Sequence, residues 1–173
     1  MKFKYIDDKD RCYGATGMAI SLIVWDAEDV LSSISIDAEP NEMMEFTQEY
    51  FFSGNPRISA KVAWNNILHH FQVSAGMLIG NVMCRSYINS SIVLDEEAKK
   101  ALYDYINAEG HDTCSLEDDE IERMFDKSYR YLHQIFNHVG IRQIATDFAR
   151  TLLERRTMSR SEVMEELHAL HHI

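Results

Sequence analysis

Apolar residues return every three or four positions along most of the chain, which is the spacing that turns one face of a helix towards a core. The clearest stretch is Ile121, Phe125, Ser128, Leu132, Ile135 and Val139, stepping by four and three up to Gly140. It predicts an amphipathic helix whose seam has coiled-coil spacing. Ile141, Ile144, Ala145, Phe148, Ala149 and Leu152 continue as the inner face of a second helix. Val163, Leu167 and Leu170 mark a third. Upstream, Ala98, Ala101, Leu102, Tyr105 and Ile106 form a face between Asp95, a capping residue, and Gly110, placed as a C-terminal stop. Met18 to Ile34 also carries its apolar residues at helical intervals. A further helix is expected from Pro40 or Asn41 through Phe52, with Gly54 ending it.

The middle of the chain is different because its polarity is uncharged. From Val62 to Cys84 there is no Asp, Glu, Lys or Arg. Asn55-Pro56 supplies a cap followed by proline at the first helical position. Asn65, Asn66, His69, His70, Gln72, Ser74 and Asn81 punctuate the segment, a polar load that a bilayer core accepts only at high cost. The reading is therefore a long central helix, approximately residues 56–88, inside a bundle. Gly76 and Gly80 form a small-x-x-x-small step on it, where another helix can approach closely. Ser115 with Asp118, and Ser159 with Glu162, resemble capping boxes for the helices that follow. Alternation at Lys2 to Ile6 and Ile34 to Asp37, with the β-branched pair Ile92 and Val93, leaves room for a small strand pair, but helical spacing outweighs it. The expected fold is all-α: one domain over residues 1–173, a bundle of about seven helices around the charge-free central one.

Composition agrees with this. In 173 residues there are only 2 prolines and 7 glycines, against a turn-rich β-sandwich, and 46% hydrophobic residues, against a disordered chain. Charge narrows the partners. The net charge of −11 repels phosphate backbones and anionic lipid, so no nucleic-acid or membrane partner is expected. Asp26 to Glu49 contains eight acids and no Lys or Arg, and Glu109 to Asp126 contains eight acids against Arg123 alone. Residues 142–160 reverse the sign with Arg142, Arg150, Arg155, Arg156 and Arg160. That stretch is either a set of partners for the acids or a basic docking patch. Cys12, Cys84 and Cys114 are few and widely spaced, and the N-terminus lacks the basic-then-apolar order of a secretory signal, so a cytoplasmic protein is expected.

The chemistry-bearing groupings are sparse. The last two helices have a helix-turn-helix outline, but the second presents Glu162, Glu165 and Glu166, which a DNA groove repels. Glu165, His168 and His172 share one helical stripe, as in di-iron bundles, but no second Glu-x-x-His accompanies them, so no metal site and no cofactor are expected. The polar groups of the central helix, Asn66, His69 and His70 foremost, either knit the bundle together or line a pocket. With Arg150, Arg155 and Arg156 they are the candidate binding residues. The resulting reading is a noncatalytic protein-interaction or regulatory module that binds another protein or itself through an acidic helical surface or the arginine-rich end, with the Ile121 to Val139 seam as a route to a homodimer. The alternative is a metal-dependent or small-molecule enzyme with its site among the central-helix histidines or at the terminal Glu165-x-x-His168.

Overall fold

The computed structural model describes residues 4–51 and 60–172. It is mostly helical, with one small sheet. Helix α1 (Asp8–Val24) begins where the Asp7 carboxylate accepts the Asp10 amide at 2.7 Å. Its middle, Cys12 to Gly17, is buried on every side, so it is an interior helix rather than an amphipathic one. It packs chiefly on the central helix, α3 (Ala60–Met83). Small residues permit this contact: a Cβ placed on Gly17 would lie 2.1 Å from the Gly80 carbonyl oxygen, so the two backbones touch. Trp25 covers Gly76 in the same way. Gly80 thus admits another helix as expected, whereas Gly76 admits the Trp25 side chain rather than a helix backbone.

Beyond Met83 the central helix widens into a π turn, Cys84–Asn89. Helix α4 (Glu96–Cys114) is capped by Asp95, which accepts the Ala98 amide at 2.8 Å. Helix α5 (Asp118–Asn137) lies against α3 and α4, and α6 (Val139–Arg155) lies against α1. Helix α7 (Arg160–Leu167) opens on the expected box, in which the Glu162 carboxylate accepts the Ser159 amide at 2.8 Å. One continuous core joins these helices through Ile20, Leu22, Ile79, Met83, Phe136 and Phe148. No helix among the described residues is long and apolar enough to cross a membrane.

Several boundaries differ from the sequence expectations. The helix read over Met18 to Ile34 stops at Val24, and Asp26 turns left-handed with φ 50°. The apolar residues beyond it belong to a short 3-10 turn, Glu28–Val30, and to strand β1 (Leu31–Ser35). The segment from Pro40 is a turn followed by strand β2 (Met44–Phe46) and a single helical turn, α2 (Gln48–Phe51). Phe52, Gly54 and the Asn55-Pro56 start lie outside the described residues. Gly110 does not end α4. The helix runs on to Cys114, and Ser115 takes the left-handed position with φ 53°. Gly110 is instead a packing residue, since a Cβ there would meet the Ile121 side chain at 2.8 Å. The cap of α5 is Glu117 paired with Glu120, not Ser115 with Asp118.

The sheet is the larger correction. Strands β2, β1 and β3 (Thr157–Ser159) pair antiparallel in that order, with β1 central. Ile34 stands between Met44 and Met158, and all three are buried. The opposite face is polar: Ser33 donates to Glu45 at 2.7 Å, and Ser35 and Thr157 share a hydroxyl contact at 2.9 Å. A bulge between Leu31 and Ser33 interrupts the alternation and sets the buried Leu31 and Ile34 three apart, a step that a helix also gives, before Ile36 resumes the spacing of two. Strand β3 occupies the turn that gave the last two helices their helix-turn-helix outline. Lys4 to Ile6 and the exposed pair Ile92 and Val93 are not strands.

Candidate functional site

A concavity lies where the β1–β2 hairpin meets α1, α3 and α4. Helical periodicity builds three of its sides. Ser74, Met77 and Leu78 share one face of α3, Tyr105 and Glu109 stand one turn apart on α4, and Met18 projects from α1. The hairpin supplies the fourth side with Asn41, Met43, Met44 and Phe46, and α2 adds Tyr50. The cleft has a volume of about 430 Å³. A second depression of about 580 Å³ continues over the same wall to Ser33, Ser35, Glu42 and Glu45 on the outer face of the sheet.

Rings and hydroxyls brace the wall. Phe46 and Tyr50 stack at 4.2 Å between centroids, and the His70 ring backs Tyr50 at 4.7 Å. The Tyr50 and Ser74 hydroxyls lie 2.9 Å apart. Burial raises the Tyr50 phenol, opposed by its bond to Ser74 and reinforced by the Glu109 charge. Tyr105 is pushed up to about 12 by burial, then by its hydrogen bond to Glu109 and that residue's charge. Burial depresses the His70 imidazole, with the neighbouring His69 acting in the same direction. At neutral pH the cleft therefore holds neutral phenols, with the neutral His70 imidazole behind its wall.

The six candidate binding residues do not converge on one place. His70 stands behind the cleft wall, whereas Asn66 and His69 are exposed on α3. Arg150 pairs with Asp147 at 2.7 Å along its own helix. Arg155 bridges to Glu162 at 3.2 Å and Glu166 at 3.4 Å, fastening α6 to α7. Arg156, in a left-handed conformation with φ 64°, reaches Asp37 at 2.5 Å and Asp8 at 3.0 Å. Arg160 pairs with Asp29. The basic segment thus meets acids from four other parts of the chain. On α7 and the 3-10 turn that follows it, the His168 ring contacts the Glu165 backbone carbonyl at 2.9 Å. Among the described residues no three His, Cys, Asp or Glu side chains converge as metal ligands.

The satisfied polar network lies at the other end of α3. Asp10, buried in α1, takes two bonds from the Arg85 guanidinium, at 2.8 and 2.5 Å. Arg85 also donates to the Lys4 carbonyl at 2.9 Å, and its guanidinium lies 4.5 Å from the centre of the Tyr5 ring. Asn81, fully buried, donates to the Tyr5 hydroxyl at 2.9 Å and to the Met18 sulfur at 3.5 Å. Burial alone would raise the Asp10 carboxyl, but Arg85, the Ile6 amide and Asn89 hold it below the usual range. Asn81 is visible in the sequence as part of the central-helix polar set. Its partner Tyr5, and the Asp10 that Arg85 holds, are not, because they lie 76 and 75 positions away along the chain.

The cleft itself was missed for a definite reason. Met43, Met44 and Phe46 fall in a segment whose sequence predicts a helix, and they form a wall because that segment is instead a turn leading into strand β2. The available signal was compositional: an adjacent pair of methionines in a stretch without a single cation. No family model matches the chain, and no characterised protein or solved structure matches it.

Proposed function

We propose that the chain is a noncatalytic protein-interaction or regulatory module that receives its partner in the methionine-lined cleft. The observation that carries this is the lining itself: half-buried Met18, Phe46 and Tyr50 border one space whose floor is made by the buried Met43, Met44 and Met77. Methionine is unbranched and polarizable, so such a surface adapts to a partner's apolar side chains. Reactive groups support the noncatalytic side of the reading. The Cys12 thiol is pushed up to about 12 by burial, then by the Asp8 charge, and Cys84 is raised by burial. Three free cysteines and a net charge of −11 fit a reducing cytoplasm and a partner that is neither nucleic acid nor anionic membrane. Self-association through the α5 seam is not part of this reading, because Ile121, Phe125, Leu132 and Phe136 are buried within the protomer.

A photo-crosslinking residue at Asn41, on the rim of the cleft, is expected to give one discrete protein adduct in the native cell. The same group at Glu97, exposed on α4, should not. Equal labelling from both positions overturns the reading. A second reading, a small-molecule site, is favoured by the Tyr50–Ser74 pair with His70 behind it. It requires a low-mass ligand that copurifies and is seen in native mass spectrometry.

A further inference from the structure

We propose that the cleft takes a basic amphipathic helix of a partner protein, its apolar face on the methionines and its lysines or arginines on Glu42, Glu45 and Glu109. This rests on the docking reading above and adds the chemistry of the occupant.

The argument is charge complementarity around an apolar floor. The two most acidic stretches of the chain, residues 26–49 and 109–126, meet at this cleft. The first contributes the wall from Pro40 to Tyr50, and the second contributes Glu109. Four other acids of these stretches pair with cations: Asp29 with Arg160, Asp37 with Arg156, Asp118 with His111 and Asp119 with Arg123. Glu42 and Glu45 have no cationic partner among the described residues, although Glu45 accepts the Ser33 hydroxyl. Glu109 bonds to Tyr105 and still projects its charge onto both Tyr50 and Tyr105. Among the described residues no Lys or Arg lines the cleft or the adjoining depression. An apolar ligand alone would leave these carboxylates unused, and a small cation would leave the methionines unused. A helix with an i, i+3, i+4, i+7 apolar stripe between basic flanks uses both. The space also suits it: depressions of about 430 and 580 Å³ share the wall residues Asn41, Met43, Met44, Phe46 and Tyr50, giving an elongated tract rather than a closed hole.

The test uses the full chain with methyl-labelled methionine and synthetic peptides of about five helical turns, or about 18 residues. One peptide places leucines on a single face with lysines elsewhere. A second keeps the leucine face and replaces every lysine by glutamine, and a third scrambles the leucine–lysine order. The facial basic peptide is expected to move the methyl signals of Met18, Met43, Met44 and Met77 and to weaken as salt is raised. Combined reversal of the exposed rim, Glu42→Lys with Glu45→Lys, should weaken it by about tenfold, the size expected of two rim charges. The reversed variant's circular dichroism, unchanged from wild type, establishes that it folds. Equal binding of the glutamine peptide overturns the basic partner while leaving the docking reading intact. Equal binding of the scrambled peptide overturns the facial helix. If no peptide moves the methyls, the inference fails, and the Asn41 crosslink then decides separately whether the cleft docks a protein at all. Sedimentation that gives a dimer blocking the same methyls would assign the cleft to a second copy and also overturn it.

Discussion

The Asp10–Arg85 pair shows how much one buried contact controls. Asp10 has a side chain only 5% exposed and Arg85 one 19% exposed, and the guanidinium spans both carboxylate oxygens. Removing one partner of such a pair leaves the other charge stranded, at a cost of about 3–5 kcal/mol. Asp10→Ala is therefore expected to lower stability by about 3 kcal/mol in urea unfolding at neutral pH, the lower end because Arg85 keeps some solvent contact. The pH dependence has a fixed sign. The folded pKa of Asp10 is below its unfolded value, so the pair's contribution is complete above the ordinary carboxylate range. It disappears as pH falls through the folded value, and the gap between wild type and Asp10→Asn should close there. A gap that widens on acidification would contradict the assignment. Arg85→Lys should behave nearly as badly as Arg85→Ala, because an ammonium cannot bond both oxygens of Asp10 and the Lys4 carbonyl together.

At the scale of elements, the sequence was most legible where periodicity and caps agreed. The faces of α5 and α6, the Asp95 cap of α4 and the Ser159–Glu162 box were all readable in advance. The seam of α5 departs from its expected register at one end: Phe136 is fully buried, whereas Val139 is 81% exposed. The helix breaks at His138, where the backbone becomes extended, so the 4,3,4,3,4 series runs past the end of the element that it describes. Phe136→Ala is accordingly expected to cost about 3–5 kcal/mol, while Val139→Ala stays within about 0.5 kcal/mol. Thermal or urea unfolding of the two variants checks this, and comparable losses would place Val139 inside after all. The strands were illegible for a related reason. Leu31 and Ile34 fit a helical face only because a bulge sets them three apart, and β3 is too short to carry a pattern of its own. The cleft inherited that blindness, since its wall exists only as part of the hairpin.

Across the whole molecule, the two interior thiols report on a single core. Cys12 on α1 and Cys84 at the π turn are both fully buried, while Cys114 at the end of α4 is half-buried. With the Cys12 and Cys84 thiols also raised by burial, alkylation of the native protein should modify Cys114 alone. Cys12 and Cys84 should then react together, at one rate set by global opening. Mass spectrometry of the alkylated chain measures this directly. Labelling of Cys84 well ahead of Cys12 would mean that the π turn opens on its own. The charge distribution acts on the same scale, since Arg155, Arg156 and Arg160 tie α7, α1 and the start of β1 together at one end of the molecule.

Strand β1 has a consequence for how the protein is made. Its β2 edge closes within a short hairpin, but its other edge waits for β3, and the Ser35–Thr157 contact spans 122 positions of chain. At about 5–20 residues per second, a ribosome needs roughly 6–24 s to synthesise the missing strand. During that interval the nascent chain carries an unpaired strand edge, the kind of surface on which misassembly starts. The serines at 32, 33 and 35 keep that edge short of apolar side chains while synthesis finishes. Slower translation of the α5 and α6 region would lengthen the exposure without altering a single residue of the product.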